Sequence, residues 1–144
     1  MEKKYIEIFS GLKRDYGYAD ITSAYKDPST GKLKLKYGWA AKELQDSDYI
    51  DHLNGKKSIG IQPCNDEGVA RFGAIDIDSD EYANFDIRKY LEIIDKKKIP
   101  VIPVKSKSGG LHIYVFFNEP VKASFVRNFL DKLLFTFSLK ASTE

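Results

Sequence analysis

Asp76 and Asp78, in Ala74-Ile75-Asp76-Ile77-Asp78, are the first residues whose types and spacing suggest chemistry. Side chains two apart on a strand share a face, with alpha carbons about 6–7 Å apart. Phe72, Ala74, Asp76 and Asp78 therefore line one face, and Gly73, Ile75 and Ile77 the other. Two carboxylates held that close repel each other, and a bridging divalent cation is the usual resolution. The competing reading is an exposed strand end entering an acidic turn, since Asp76, Asp78, Asp80, Glu81 and Asp86 succeed one another with no cation between them. Counting removes one alternative. An EF-hand loop beginning at Asp76 needs glycine in its sixth place and glutamate in its twelfth, where this chain has Glu81 and Ile87. A phosphotransfer enzyme with a nucleophilic Asp is disfavoured by Asp80, and a sugar-nucleotide transferase using Asp-x-Asp stays open.

A second constellation is Lys105-Ser106-Lys107-Ser108-Gly109-Gly110, which runs directly into Leu111-His112-Ile113-Tyr114-Val115-Phe116-Phe117. Small residues, hydroxyls, two ammonium groups and backbone N–H groups together make a cradle for phosphate. His112 shares its strand face with Tyr114 and Phe116, while Leu111, Ile113, Val115 and Phe117 form the buried face. A lone histidine is often a structural imidazole. Here it follows the loop at once and lies one strand-helix-strand unit beyond the Asp pair, so a metal-bound nucleotide would satisfy both features together.

The elements that must position these residues are legible from periodicity. Tyr5, Phe9, Leu12 and Tyr16 predict a helix over 3–15 with Gly17 as its stop, and Asp27-Pro28-Ser29-Thr30-Gly31 predicts a turn. Leu33 and Leu35 alternate with Lys32, Lys34 and Lys36 in a short strand with a basic face. A helix over 40–53 follows, ended by Asn54-Gly55. Residues 58–63 and 69–78 read as strands joined by a hairpin at Asn65-Asp66-Glu67-Gly68. A helix over 84–97, strands over 101–104 and 111–117, and a helix over 122–138 complete the order β-β-α-β-β-α. The class expected is α+β with a mostly antiparallel sheet covered by helices on one face, preceded by a small helical section.

Taken together, Gly60-Ile61-Gln62-Pro63, the Asp76/Asp78 strand and the Ser106–Phe117 segment resemble the archaeo-eukaryotic primase superfamily, the primase-polymerases. Within it, the likeness is greatest to the primase domains of phages, plasmids and the TOTE conflict systems, and it covers roughly residues 52–144. The resemblance implies an RRM-like palm over 55–144, with residues 1–54 as an N-terminal helical and basic section packed on it. It implies that Asp76 and Asp78 hold two catalytic Mg²⁺ or Mn²⁺ ions and that His112 contacts the incoming nucleotide's phosphates, with Ser106 or Ser108 as its accompanying serine. Lys105, Lys107, Gly109 and Gly110 would complete the nucleotide site. A third metal-binding acid is implied beyond the last helix, where the first acid is Glu144, so the palm is expected to be truncated at its C-terminal end. The activity implied is template-directed nucleotidyl transfer by a DNA primase or polymerase in replication or repair of a mobile element. Its partners would be a nucleic-acid template and primer, nucleoside triphosphates, and a helicase on the same or a neighbouring chain. Lys32, Lys34, Lys36, Lys56 and Lys57 would track the template backbone. The alternative is a non-catalytic RRM-like module that stacks bases on Tyr114 and Phe116; a metal-dependent nuclease is a more distant third.

Composition sets the outer bounds. The 144 residues, 42% of them hydrophobic and 13% aromatic, can build a real core, which excludes disordered and low-complexity classes. No apolar run approaches the roughly 20 residues of a membrane span. A single cysteine, Cys64, points to a reducing cytoplasm. The net charge of +2 does not announce nucleic acid, so such a reading rests on where the charges sit.

Overall fold

Among the described residues strand pairing is entirely antiparallel and falls into two sheets, each in its own compact unit, Met1–Gly68 and Val69–Glu144. The computed structural model of the protein describes residues 1–78, 85–106 and 109–139. The first unit holds α1 (Glu2–Ile8), β1 (Tyr16–Lys26), β2 (Leu33–Ala40), α2 (Asp46–Leu53) and β3 (Ser58–Gly60). The second holds β4 (Val69–Ile77), α3 (Ile87–Lys97), β5 (Ile102–Lys105), β6 (Leu111–Lys122) and α4 (Ala123–Thr136). The α+β class is as the periodicity implies. Among the described residues no helix is long and apolar enough to cross a membrane.

In the second unit the sheet order is β4-β6-β5. Since β6 is antiparallel to both neighbours, β4 and β5 run parallel with β6 inserted between them, a split β-α-β arrangement whose crossover is α3. One face is apolar. Ile75 and Ile77 from β4, with Leu111 and Ile113 from β6, are buried against Leu133 and Phe137, and Tyr90, Ile94 and Leu130 pack around them. Gly73 sits on this face because α4 comes down on it: a Cβ there would lie 2.6 Å from Val126 Cγ1 and 3.1 Å from Leu130 Cδ1. Asp86 caps α3 by accepting a hydrogen bond from the Arg88 N–H, and Lys98 ends it in the left-handed region at φ 50°. Lys96 and Lys97 sit in the last turn, where cations complement the helix dipole.

The first unit departs from expectation in its N-terminal third. Helix α1 ends at Ile8, and Tyr16, expected to close a helix, opens the eleven-residue strand β1. The Asp27 turn forms as read, and it joins β1 to β2: Asp27 Oδ1 accepts from the Ser29 N–H (2.8 Å) and Ser29 Oγ (2.6 Å), and Gly31 takes φ +67°. The Lys34 ammonium, then Ser29, hold the Asp27 carboxyl well below the usual carboxylate range. The Asn65–Gly68 turn also forms, with Gly68 at φ +74°, yet the strands beside it do not pair. Instead β3 pairs with β1 and β4 with β6. The expected β-β hairpin is therefore replaced by a change of sheet, and the sheet bearing Asp76 has the order β-α-β-β-α.

Tyr16, Leu44 and Tyr49 form the first unit's buried cluster, with Tyr5, Phe9 and Ile59 packed around it. Burial pushes the Tyr49 phenol up to about 12. Beside this cluster Lys57 donates to Asp48 Oδ1 and, at 2.8 Å, to the Tyr16 hydroxyl, and its ammonium lies 5.0 Å from the Tyr16 ring centroid. Burial pushes the Asp48 carboxyl up, but the Lys57 ammonium and the Gln45 N–H outweigh it and leave the group lowered. Lys57, expected to track a template, is thus held in an internal ion pair.

Two stability measurements follow. Removing Lys57 leaves Asp48, 12% exposed, without its cation; Lys57→Met is expected to cost about 2 kcal/mol in urea unfolding at pH 7. Because the folded-state pKa of Asp48 is lowered, its contribution is present above the unfolded value near 3.8 and is lost as pH falls through the folded one. The difference between wild type and Lys57→Met should therefore shrink between pH 7 and pH 3. On the other unit, Gly73→Val should cost about 1–3 kcal/mol by forcing α4 off the sheet.

Candidate active site

Antiparallel register places Asp76 of β4 directly opposite His112 of β6, and Val104 of β5 opposite His112 on its other side. Directly paired residues share a face. Asp76, His112 and Val104 therefore stand in a row across the sheet, on the face opposite the helices. The Asp76 Oδ1 and His112 Nε2 atoms are 3.1 Å apart, with side chains 63% and 36% exposed. Asp78, half-buried, follows the last residue of β4. The alternation inferred from the sequence holds, since Ile75 and Ile77 are buried and Asp76 is exposed.

The loop between β5 and β6 closes on the same end of the sheet. The Ser106 N–H donates to Gly110 O at 2.9 Å and the Gly109 N–H to Ser106 O at 3.2 Å, with Gly109 at φ +94°. A Cβ on Gly110 would lie 2.3 Å from Ile77 O, 3.1 Å from Ser106 Oγ and 3.3 Å from Asp78 Cα. Only glycine lets the loop lie flat against the end of β4. This contact joins the acidic strand end to the small polar loop, which lie about thirty residues apart in the sequence.

Other expected residues fall as follows. Lys105 pairs with Leu111, so its register puts it on the helix-bearing face, away from His112. Lys107, Ser108 and Glu144 lie outside the described residues, as do Asp80 and Glu81. Lys34 is paired with Asp27 and Lys56 with Asp51 (3.7 Å). Among the described residues no group of three metal-ligating side chains comes together. The donors present fit a divalent hard cation in kind, being a carboxylate on the open face of β4 and a second just past the strand's end, and furnish part of a ligand set.

Along β6 the open face continues as aromatic rings. His112 and Tyr114 meet edge-on at 6.1 Å, Tyr114 and Phe116 stack at 5.9 Å, and Phe116 and Phe72 stack at 6.2 Å. Phe72 is only 6% exposed, so one end of the ladder is packed and the other meets Asp76. Sequence reasoning missed Ile102 and Val104, exposed apolar residues opposite Tyr114 and His112; the β5 register that puts them there is a long-range property. It also missed the function of Gly110 as a contact point, although Gly-Gly before a strand signals a close backbone approach.

The family model described as the TOTE conflict system archaeo-eukaryotic primase domain matches residues 8–143. The match extends well upstream of the segment 52–144 that carries the motifs, so it includes the β1–β2 hairpin. No curated protein matches the chain.

Gly110→Ala should open the end of the sheet, because the obstructing atom is a backbone carbonyl. The expected outcome is a stability cost of about 1–3 kcal/mol, read by urea unfolding.

Proposed function

The chain belongs to the archaeo-eukaryotic primase domain family of TOTE conflict systems, and from that premise we propose that it carries out metal-dependent, template-directed nucleotidyl transfer for a phage, plasmid or other mobile element. The observation that carries the reading is the convergence of Asp76, Asp78, His112 and the Ser106–Gly110 turn at one end of one sheet. Outward-facing carboxylates beside a histidine would repel the phosphates of a nucleotide; with a bound cation they attract them.

Asp76 and Asp78 would hold Mg²⁺ or Mn²⁺, hard cations that suit carboxylate oxygen. Such ions supply activation of the attacking 3′-hydroxyl and charge neutralisation of the leaving pyrophosphate. The protein's own groups do the positioning. His112 places an imidazole N–H donor beside the Asp pair, where it can hold a phosphate oxygen and fix its orientation. Gly110 brings backbone without a side chain to this end, and Ser106 Oγ faces the same corner. Since the Ser106 and Gly109 N–H groups close the turn itself, phosphate contacts from the loop would come from its other positions. Lys32 and Lys36 would provide the backbone contacts to a template, with the salt dependence that phosphate neutralisation brings. The single free cysteine, exposed Cys64, suits a cytoplasmic setting.

A base-stacking module without chemistry would use Tyr114 and Phe116. Those rings are already half-buried and stacked on each other and on Phe72, which favours the catalytic reading. The deciding measurement is nucleotide incorporation on a primed template with Mn²⁺ or Mg²⁺ by the full-length protein. Asp76→Ala combined with Asp78→Ala is expected to lower incorporation at least ~100-fold, the scale of several kcal/mol of charge stabilisation. Undiminished incorporation would sink the assignment.

A further inference from the structure

The outer edge of the first unit's sheet carries a pattern that the Asp76 site does not use. Among the described residues β2 pairs with β1 alone, so it is an edge strand, eight residues long and free of proline. Alternation sorts its side chains. Gly38 and Ala40 lie on the packed face, where a Cβ on Gly38 would lie 2.8 Å from the Tyr18 hydroxyl and Ala40 joins the Tyr16 cluster. Lys34 and Lys36 share that parity. Leu33, Leu35, Tyr37 and Trp39 fall on the other face, and Leu33, Tyr37 and Trp39 are 53%, 79% and 63% exposed. An apolar stripe of this kind along an unpaired edge marks a contact surface.

Backbone direction gives this edge its pairing rule. The Lys36 N–H donates to Ser23 Oγ and the Lys32 carbonyl accepts from the Asp27 N–H, both toward β1. Even-numbered residues of β2 therefore turn their backbone groups inward, and Leu35, Tyr37 and Trp39 turn theirs to the open edge. A second β2 strand meeting this edge antiparallel about a twofold axis brings residues of the same face opposite each other. Charge then selects the register. An axis at Lys36, or anywhere between it and Leu33, sets lysine directly opposite lysine, which is destabilising. An axis at Tyr37 escapes this: Lys34 and Lys36 face Ala40 and Gly38 of the other copy, Leu35 faces Trp39, and Tyr37 faces its own copy. Moving the axis on to Gly38 leaves Leu35 opposite residue 41, beyond the end of the strand. With the axis at Tyr37, Lys36 and its copy stand diagonally, and each has Asp20 opposite it on β1.

We propose that β2 is a self-association edge: two copies of the chain join β2 to β2 about a twofold axis at Tyr37, merging their two three-stranded sheets into one continuous antiparallel sheet. The lysines exclude the wrong registers, and Leu35, Tyr37 and Trp39 supply both the backbone hydrogen bonds and the cross-strand side-chain contacts. Because each copy spends the same edge on the other, association stops at the dimer. The inference is independent of the nucleotidyl-transfer reading.

Sedimentation velocity over a concentration series of the intact protein reads the association directly. Expected is a monomer–dimer equilibrium without larger species. Trp39, the single tryptophan of the chain, should shift its emission to the blue as the dimer forms, since Leu35 of the other copy comes to lie against it. Tyr37→Pro removes an N–H from the open edge and leaves the pairing with β1 intact, so it should raise the dimer dissociation constant about tenfold or more. Should that variant not fold, Tyr37→Lys, at an exposed position, sets like charges opposite each other at the axis; the same loss is expected, and salt should relieve it. A monomer at every concentration up to millimolar, association that continues past the dimer, a dimer that leaves Trp39 emission unchanged, or unaltered association in a folded Tyr37→Pro or Tyr37→Lys protein would each overturn the proposal.

Discussion

The pairing of β4 with β6 is the interaction on which the rest of the second unit depends. An antiparallel ladder has a side-chain period of two, so one register decision sorts every residue of both strands between the helices and the open face. With Asp76 opposite His112, the isoleucines at 75, 77 and 113 fall together under α3 and α4. A slip of one residue would put both carboxylates into an apolar core and the isoleucines into water, at a cost of several kcal/mol for each unpaired charge. Core and chemistry therefore enforce each other. The burial of Ile77 and Ile113, 1% and 0% exposed, holds the Asp76–His112 pair in place more firmly than the pair's own exposed contact can.

Two glycines make this register compatible with close packing on both sides. At Gly73 the sheet is thinned so that Val126 and Leu130 of α4 can reach it, and at Gly110 the β5–β6 turn is thinned so that it reaches the carbonyl of Ile77. Neither requirement is a turn conformation: Gly73 is an ordinary strand residue, and the positive φ of the loop belongs to Gly109. What these positions need is the absence of a side chain, so alanine, usually the mildest replacement, is already too large at both.

Much of the second unit was legible in the sequence because its signals are local and periodic. Alternation in 69–78 and 111–117 located β4 and β6, and the stripes Ile87, Leu91, Ile94 and Val126, Leu130, Leu134 located α3 and α4 to within a few residues at their ends. The first unit was less legible for two physical reasons. Tyr16 lies at helical spacing from Tyr5, Phe9 and Leu12, yet Tyr5 and Phe9 meet it by tertiary packing around one cluster, a coincidence that period alone cannot distinguish. And the Asn65–Gly68 turn has good hairpin chemistry, but which strand lies beside β3 is decided by β1 forty residues upstream. The same long-range limit hid the role of Lys57: beside Lys56 it reads as surface charge, and only the fold brings Asp48 and Tyr16 to it. Of the site, the Asp pair and His112 were readable from strand alternation, whereas the alignment of Val104 and the seating of Gly110 were not.

Charge illustrates how little a total conveys. Residues 1–68 hold eleven Lys and Arg against eleven Asp and Glu, so the first unit is neutral. A neutral body has no long-range field to draw an anionic polymer, and beyond about a Debye length its charges cancel and are screened. Any nucleic-acid affinity must then come from local arrangement. In the β1–β2 hairpin, Asp27 is turned inward to organise Ser29 and Lys34, and from Pro28 to Lys42 only cations remain. Nearby, Asp48 is consumed by Lys57. On the next strand pair Lys36 stands opposite Asp20, so the cations of the edge strand are in turn answered by acids of the same unit. A phosphate backbone approaching this strand would have to compete with those pairs, so any affinity there would be short-ranged and sensitive to salt.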